Sequence, residues 1–334
     1  MKATLQAQTP STPTLSDIQA PVRDRLVEAT EELRRIVTSE LPLIDAVNGH
    51  LLLMKGKMFR PTLVLLTSAV AGRSEPRAST LAATVELVHL ATLVHDDSVD
   101  HSTLRRGMPT VNSLFTHQVS VIMGDFLYSR AMVELVRTRD IEVLGVLADA
   151  TNEMTIGEMR QLTALDALAF TEDDYEALIR AKTASLLSAA CEIGALTGGG
   201  EYREQLARYG EWLGMAFQVA DDLLDYTANA AMLGKPSGLD LREHKVTLPL
   251  IAAMRDMTTA ARREVDELFA SQEPTDEQIE RVVSIVDEAG GLDYAARRAD
   301  EYALAAESAL EGLPESPVLA ALRDAIAYSV QRSH

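Results

Sequence analysis

The sequence has a single cysteine, very few aromatic residues and a shortage of positive charge. Cys191 stands alone among 334 residues, so an internal disulfide is excluded and a reducing compartment, the cytoplasm, is expected. Phe, Tyr and Trp make up only 4% of the residues, whereas Ala and Leu dominate the apolar ones, which favours helix packing over sheets. The net charge of −19 excludes a general nucleic-acid-binding protein, because such proteins carry basic surfaces.

Targeting and membrane segments are not evident either. The first residues lack the basic stretch and apolar run of a signal peptide. No uninterrupted apolar run approaches the ~18 residues that a membrane helix needs, so no membrane span is expected. Residues 1–20, rich in Thr, Ser, Pro and Gln, have the composition of a flexible tail, and one domain is expected over 21–334.

Apolar residues recur at helical spacing along most of the chain. Clusters such as Gly198-Gly199-Gly200 and Gly290-Gly291 interrupt this spacing and mark loops. The run Val246–Ile251 has the composition of a strand, but no partner strand lies nearby. The spacing predicts one all-α domain with helices near residues 21–40, 43–54, 60–71, 76–100, 117–138, 141–166, 172–196, 201–227, 246–256, 260–271, 275–287, 290–310 and 316–330.

Two acidic clusters share the pattern DDxxD, and each closes a long apolar helix. In each cluster the first and last carboxylates are four residues apart and therefore share one helix face. Negative charge is disfavoured at the end of a helix, so placing it there twice costs stability unless a cation binds. One cluster alone fits a solvated helix end, whereas two matched clusters indicate a metal site. The carboxylates are Asp96, Asp97 and Asp100, then Asp221, Asp222 and Asp225.

The second cluster extends into a polar stripe. Gln218, Asp221, Asp222 and Asp225 are spaced i, i+3, i+4 and i+7, which places them on one face of a helix. Hard carboxylate oxygens suit magnesium, which keeps some waters and shares its other ligands with substrate phosphates. The stripe therefore favours a magnesium-dependent enzyme that acts on phosphorylated substrates.

Several basic residues stand near the breaks between helices, whereas Lys182 sits within a predicted helix. Lys57 and Arg60 lie at the entry to a helix, where the N-terminus favours anions. Arg105 and Arg106 follow the first acidic cluster. Each alone fits an ordinary surface charge; together, in so acidic a protein, they indicate anion binding. The remaining members of this group are Lys182, Lys235 and Lys245.

Six segments of the sequence, together with the basic residues above, occur in the order and spacing typical of one enzyme family. From about Leu26 to the C-terminal helices, the chain resembles the trans-isoprenyl (polyprenyl) diphosphate synthase family. The resemblance implies an isoprenoid synthase-type bundle of long helices around a central cavity, assembled as a homodimer. It also implies a prenyltransferase that adds isopentenyl diphosphate head-to-tail to an allylic diphosphate. The matching segments are His95–Asp100, Leu104–Thr110, Lys182-Thr183 with Leu186-Leu187, Gly214–Asp225, Gly234–Gly238 and Lys245–Leu250.

The resemblance also assigns roles to individual residues. Three magnesium ions are expected, with manganese as an alternative. Their implied ligands are Asp96, Asp100, Asp221 and Asp225, and the implied catalytic set is Asp96, Asp97, Asp100, Lys182, Thr183, Gln218, Asp221 and Asp222. Isopentenyl diphosphate is assigned to Lys57, Arg60, His89 and Arg106. The allylic diphosphate is assigned to Arg105, Lys182, Thr183, Gln218, Lys235 and Lys245.

Two histidines precede the first acidic cluster on the same helix. His89 lies seven residues before Asp96, two turns away on the same face, which favours a substrate contact over a purely structural role. His95, next to the aspartates, is expected to be a packing residue.

The sequence departs from the family pattern at four places. The family segment Gly-Gly-Lys-Arg-x-Arg-Pro has Lys55 in place of its first Gly and Met58 in place of its first Arg here. Ser98 replaces a commoner Val or Leu, and Arg160 before Gln161 is unusual. Because Lys57 and Arg60 match, the isopentenyl diphosphate site is expected to be retained.

Product length is predicted from the side chains that precede Asp96. The growing chain is expected to run back along this helix, past Val88, Ala91 and Thr92. Short-chain members carry a bulky aromatic residue there, whereas these side chains are small, so a product of roughly six to ten isoprene units is predicted. The floor of the tunnel is expected at Met123, Phe126 or Met132. Alternatively, small residues here only permit close helix packing, and the enzyme stops at farnesyl or geranylgeranyl diphosphate.

Two other functions remain as alternatives. A terpene cyclase shares the helical architecture, but typically carries one DDxxD motif with an Asn/Ser/Glu triad and lacks an isopentenyl pocket. A non-catalytic partner subunit typically loses motif aspartates or basic residues, and none is missing here. No nucleic-acid or membrane-spanning partner is expected, although the product is expected to partition into membranes.

Overall fold

The computed structural model of the chain describes residues 12–54, 56–163, 167–227 and 238–330. Almost all of their secondary structure is helical, which confirms the predicted all-α fold. The α-helices are α1 Leu15–Gln19, α2 Arg23–Val37, α3 Pro42–Leu53, α4 Phe59–Ala69, α5 Ala78–Val99, α6 Val111–Leu114, α7 His117–Thr138, α8 Ile141–Thr163, α9 Glu172–Ile179, α10 Ser185–Thr197, α11 Arg203–Thr227, α12 Leu239–Arg242, α13 Leu248–Asp256, α14 Thr259–Ala270, α15 Asp276–Glu288, α16 Gly291–Ala309 and α17 Pro317–Val330. Short 3₁₀ turns cover Ala20–Val22 and Ala167–Ala169.

The bounds of the long helices agree with the predicted ranges to within a few residues, and their ends have local causes. Helix α7 begins after Thr116, whose hydroxyl accepts a hydrogen bond from the Val119 backbone at 3.2 Å. It ends at Arg139, which adopts a left-handed conformation with φ of 55°. The run Val246–Ile251 does not form a strand, because α13 begins at Leu248 with Pro249 in its first turn.

The helical domain begins before residue 21, inside the segment expected to be a tail. Thr14 and Asp17 form a capping box that starts α1. Ile18 is fully buried, and the Gln19 side-chain amide donates to the Lys57 carbonyl at 3.0 Å. Residues 14–20 therefore pack as part of the domain, whereas residues 1–11 lie outside the described ranges.

A small hairpin, absent from the predicted elements, follows the first aspartate cluster. Strands β1 (Leu104–Arg105) and β2 (Met108–Pro109) pair antiparallel. The two residues between them, Arg106 and Gly107, have φ values of 53° and 74°, as a two-residue turn between twisted strands requires. The hairpin holds Arg105 and Arg106 beside the end of α5.

One predicted helix, 172–196, contains an irregularity. Residues Arg180–Ala184 form a π-helical turn between α9 and α10. Such a turn inserts one extra residue into a helix and is frequent at functional sites. Lys182 and Thr183 lie within it.

Helix α5 lies inside the larger hydrophobic core and packs against α2, α4, α7 and α10. By length and composition it could cross a membrane, but 67% of its most apolar window is buried inside the protein, as expected of a core helix. A second core joins α11 to helices α13–α16. The two cores meet where α10 and the π-helical turn before it pack against α11. This packing is very close, because a methyl group added at Gly214 of α11 would lie 2.5 Å from the Cα atom of Ala184 in the turn. This contact fixes the position of α11, and therefore of the second aspartate cluster, relative to the π-helical turn.

Candidate active site

Three cavities adjoin one another around Lys182, which lines all of them. The central cavity, of about 690 Å³, lies between α4, α5, the hairpin, α11 and α17. The tunnel cavity, of about 630 Å³, lies behind Asp96 between α5, α7 and α8. The outer cavity, of about 590 Å³, lies between α9, α11 and the segment 240–247.

The three carboxylates of the first aspartate cluster have different surroundings. Asp96 lines both the central and the tunnel cavity, and Asp100 lines the outer cavity. Asp97 is buried and accepts a hydrogen bond from Arg105 Nε at 2.7 Å. Burial raises the pKa of Asp96 to about 6; Lys182 opposes this rise, whereas Glu158 and Asp100 add to it. Asp96 is thus a carboxylate whose negative charge would be stabilised by a cation.

The second aspartate cluster is divided in the same way. Asp221 lines the central cavity. Asp222 is buried and accepts hydrogen bonds from the Tyr175 hydroxyl at 2.5 Å and from the Gln218 amide at 2.7 Å. Asp225 accepts two backbone N–H groups at the start of α12, at 3.0 and 3.1 Å. Burial raises the pKa of Asp225, and the two N–H donors oppose that rise.

The two clusters therefore meet across the same space. Asp96 and Asp221 share the central cavity, and Asp100 and Asp222 share the outer one. Across the described residues, no group of three His, Cys, Asp or Glu side chains is close enough to hold a metal ion by itself. Any ion bound between these carboxylates would need ligands from a second molecule.

A cationic group also lines the central cavity. Lys57, Arg60, His89 and Arg106 all line it, as their assignment to one substrate requires. Lys57 Nζ lies 5.6 Å from the centre of the Tyr328 ring, on the C-terminal helix α17. The structure thus brings together four residues that are separated by up to 49 positions in the sequence.

The charges in this group affect one another. Burial lowers the pKa of Arg60 to about 10, with Glu86 opposing and Arg106 reinforcing the decrease. Burial, Arg60 and Arg106 together hold the pKa of His89 well below 6.5, so its imidazole is neutral. The buried Arg60 Nε has no hydrogen-bond partner among the described residues. A buried guanidinium with an unused donor is suited to a bound anion.

The cations assigned to the allylic diphosphate are each paired with a carboxylate. Arg105 pairs with Asp97, Lys182 with Glu158 at 2.5 Å, and Lys245 with Glu243 at 2.7 Å. Lys245 also lies 4.0 Å from Asp100. Burial would lower the pKa of Lys245, but its carboxylate neighbours raise it, first among them Glu243. Lys235 lies outside the described residues.

The tunnel cavity is lined by the three residues predicted to set product length, Val88, Ala91 and Thr92. Thr92 donates its hydroxyl to the His89 carbonyl of its own helix at 2.8 Å. Thr151 and Thr155 on α8 do the same within their helix, at 2.8 and 2.9 Å. These threonines therefore satisfy their polar groups locally, so the tunnel is more apolar than its composition indicates.

Helix α7 contributes different residues to the tunnel from those expected. Its described lining residues are Asp125 and Tyr128. Met123, one of the predicted floor residues, is packed into the hydrophobic core, and Phe126 and Met132 pack against that core. Because α7 carries apolar residues on both faces, the sequence does not show which face meets the tunnel, and a floor at these three residues stays a prediction.

The departures from the family pattern have separate explanations. Met58 adopts a left-handed conformation, with φ of 50°, and begins α4 while lining the central cavity. Ser98 is buried. Arg160 lines a separate groove of about 810 Å³ between α8 and α10, which contains none of the motif residues. Lys55 lies outside the described residues. His95 is not a departure but was expected to be a packing residue, and its imidazole ring lies against Gly124 of α7.

Four acidic or phenolic side chains at the site were not singled out from the sequence. Glu86 lines the central cavity, and its position within an apolar run was a detectable signal. Tyr175 and Asp240 line the outer cavity, and Glu158 lines the tunnel cavity. Burial raises the pKa of Asp240 to about 7, and the nearby Asp225 carboxylate adds to this.

Comparison with known proteins gives consistent matches over nearly the whole chain. Residues 42–286 match the family described as Polyprenyl synthetase. An all-trans-nonaprenyl-diphosphate synthase (geranyl-diphosphate specific) of Rhodobacter capsulatus is 41% identical, over 92% of this chain and 94% of that protein. An octaprenyl diphosphate synthase of Haemophilus influenzae is 37% identical, over 96% and 98%. The crystal structure of a Caulobacter crescentus polyprenyl synthase, complexed with calcium and isoprenyl diphosphate, superimposes with a TM-score of 0.91 at 33% identity, over 98% of this chain and all of that one.

Proposed function

Because the chain belongs to the polyprenyl synthetase family, we propose that its central cavity joins isopentenyl diphosphate to an allylic diphosphate and builds a medium- to long-chain polyprenyl diphosphate. The chain is accordingly a prenyltransferase of the polyprenyl diphosphate synthase type. One observation carries the proposal. A single cavity is lined by carboxylates of both aspartate clusters and by a group of cations, and a second cavity adjoins it at Asp96.

Divalent metal ions fit the acidic side. Asp96, Asp100 and Asp221 offer hard carboxylate oxygens towards the cavities and are the proposed magnesium ligands. Since no three carboxylates form a complete site among the described residues, the diphosphate oxygens would supply the remaining ligands. Bound magnesium would neutralise charge on the leaving diphosphate. Asp225 stays a predicted ligand, with its backbone hydrogen bonds holding it in place.

Basic residues of the protein bind the two diphosphate groups. Arg60, Lys57 and Arg106 bind the isopentenyl diphosphate, and the neutral His89 adds one hydrogen bond. Lys182 and Lys245, joined by Arg105 and Lys235, bind the allylic diphosphate and exchange their present carboxylate partners for phosphate oxygens. Fixing the two substrates in one orientation replaces a bimolecular encounter and supplies much of the rate.

When the allylic carbon–oxygen bond breaks, positive charge develops on the allyl group and negative charge on the leaving diphosphate. Thr183 and Gln218 lie beside this position and present oxygen dipoles to the positive charge. The alkene of isopentenyl diphosphate then forms the new carbon–carbon bond. The released diphosphate takes up the proton that is lost when the new double bond forms.

The elongated chain would enter the tunnel cavity. Val88, Ala91 and Thr92 are small enough to leave that cavity continuous with the central one at Asp96. This supports a product of roughly six to ten isoprene units, as predicted from side-chain volume. Tyr128, from α7, is a bulky residue in the wall of this cavity.

A second copy of the chain is the partner we propose for the face formed by α7 and α8. This face exposes many large apolar side chains, and faces of this kind are normally buried in a stable assembly. The exposed residues are Val121, Ile122, Val133, Val136, Ile141, Ile156, Met159 and Leu162.

The test is turnover with labelled isopentenyl diphosphate, several allylic primers and chromatographic sizing of the products. Asp96→Ala and Asp221→Ala should each lower kcat about a hundredfold to a thousandfold, because they act on charge that develops at bond cleavage. The exposed Asp300→Ala on α16 is the matched control and should keep wild-type kcat. Activity of either cavity variant near that of the wild type at saturating magnesium would refute the assignment.

A further inference from the structure

Four polar side chains form a continuous hydrogen-bonded series from the central cavity into the protein. The Thr183 hydroxyl donates to Gln218 Oε1 at 2.8 Å, and Gln218 Nε2 donates to Asp222 Oδ1 at 2.7 Å. The Tyr175 hydroxyl donates to the other carboxylate oxygen, Oδ2, at 2.5 Å. Tyr175 is only 1% exposed. We propose that Tyr175 is a positioning residue for the condensation, which holds Asp222 and, through it, the orientation of Gln218 and Thr183.

The series fixes which atoms face the reacting groups. Gln218 turns its NH₂ group towards Asp222, whose Oδ1 accepts the hydrogen bond. The Gln218 carbonyl oxygen then points towards Thr183 and accepts a hydrogen bond from its hydroxyl group. The hydroxyl lone pairs are left for the cavity that Thr183 lines. A reversed amide would instead present N–H groups near the developing positive charge.

The helix irregularity explains how Tyr175 and Thr183 reach neighbouring residues. Eight positions separate them, which in a regular α-helix would place them about 80° apart around the axis. The π-helical turn Arg180–Ala184 adds one residue, so the separation behaves as seven and the two side chains share one face. Their partners Asp222 and Gln218 are four apart on α11 and also share a face.

Asp222 needs the second donor because it is buried. Burial and the neighbouring Asp240 carboxylate hold the pKa of Asp222 well above its usual range, and the hydrogen bonds from Tyr175 and Gln218 oppose this rise. Loss of the Tyr175 hydroxyl would leave Oδ2 without its short hydrogen bond. The carboxylate, and with it the Gln218 amide, would then have more than one orientation available.

Tyr209 provides a matched control. It is equally buried, lies on α11, and donates its hydroxyl to the Leu322 backbone carbonyl at 2.9 Å. Tyr209 does not line the central, tunnel or outer cavity as described. Replacing either tyrosine by phenylalanine therefore removes one buried hydroxyl and one hydrogen bond.

The experiment compares Tyr175→Phe with Tyr209→Phe in a single condensation under single-turnover conditions, with both substrates saturating. We expect Tyr175→Phe to lower the rate constant about tenfold to a hundredfold, the loss typical of a hydrogen bond to a charged group. The KM of each substrate should stay within about threefold, since no substrate contact is removed. Tyr209→Phe should keep the wild-type rate constant, with a similar decrease in thermal midpoint.

A double-mutant cycle separates positioning from general damage. In a Gln218→Ala background, Tyr175→Phe should have almost no further effect on the rate constant, because the group through which it acts is gone. Equal rate constants for the two phenylalanine variants, or independent effects in the cycle, would overturn the proposal. If Tyr175→Phe does not fold, Asp222→Asn tests the same link, and a wild-type rate constant in that variant would overturn it.

This inference rests on the proposed function, and the two fail differently. A wild-type protein that forms no product from any primer contradicts the proposed function. An active wild type with indistinguishable Tyr175→Phe and Tyr209→Phe variants contradicts only the role of Tyr175.

Discussion

The six aspartates of the two DDxxD clusters have the same spacing but different surroundings. Asp96, Asp100 and Asp221 line cavities and are not among the buried residues, whereas Asp97 and Asp222 are buried and hydrogen-bonded to protein side chains, although Asp222 also borders the outer cavity. Spacing predicts which carboxylates share a helix face, but the neighbouring helices decide which of them meets a cavity. The sequence could therefore identify the clusters, but it could not separate the buried aspartates from the more accessible ones that line the cavities.

Arg60 should discriminate between the two substrates. Its buried guanidinium, with an unpartnered Nε, is suited to a diphosphate in the central cavity. Arg60→Ala should raise the KM of isopentenyl diphosphate about tenfold to a hundredfold and change that of the allylic primer far less. Met58→Ala, two residues away, is the control and should alter neither KM by more than about threefold, since it removes no charge. An equal rise for both substrates would contradict separate binding of the two diphosphates.

His89 should act as a neutral hydrogen-bonding group. Its pKa is held well below 6.5, so it loses its proton below the physiological range and stays neutral as the pH rises. The KM of isopentenyl diphosphate should therefore show no His89 titration between about pH 6 and 8. His89→Gln, which keeps a neutral donor, should therefore leave the pH dependence of this KM the same as in the wild type. A step near pH 6.5 that is present in the wild type and absent in His89→Gln would show a charged imidazole.

Among whole elements, α5 contributes predicted site residues to both the central and the tunnel cavity. It supplies His89 to the central cavity, Asp96 to two cavities, and the small side chains to the tunnel. The apolar spacing of α5 made this helix predictable from the sequence. Capped ends had the same effect for other helices, such as α7. Two elements could not be predicted. The hairpin 104–109 is too short to have a periodic pattern, and the π-helical turn depends on packing against α8 and α11.

The tunnel prediction belongs to this helix. Ala91 is 2% exposed and lines the tunnel one turn before Asp96. Ala91→Phe should shorten the product to about three or four isoprene units, because an aromatic ring fills the space and overpacking resists displacement. Product sizing by chromatography measures this. The control is Ala82→Phe on the same helix, which is fully buried away from the tunnel and should destabilise the fold without a selective change in product length.

The opposite outcome is equally informative. A wild-type enzyme that already stops at farnesyl or geranylgeranyl diphosphate would contradict the inference from volume. In that case the small side chains would serve helix packing, and Tyr128 or another residue would close the tunnel near Asp96.

For the molecule as a whole, the exposed apolar face of α7 and α8 leads to the last prediction. Met159 and Leu162 are more than half exposed and also line the tunnel cavity, so whatever covers this face also covers part of the tunnel wall. A second copy of the chain would bury both surfaces at once. Light scattering at micromolar concentration should therefore give twice the mass of one chain.

Charge introduced on this face should separate the copies. Ile122→Asp with Val136→Asp places two carboxylates where 64% and 63% of the side-chain surfaces are exposed, so the isolated fold should tolerate them while the interface should not. The matched control is Leu304→Asp on α16, which is 67% exposed and lies on another helix. The double variant should become monomeric and release a different distribution of product lengths, because the tunnel wall at Met159 and Leu162 is uncovered. A wild-type mass equal to one chain, or a double variant that remains dimeric, would show that this face does not hold the two copies together.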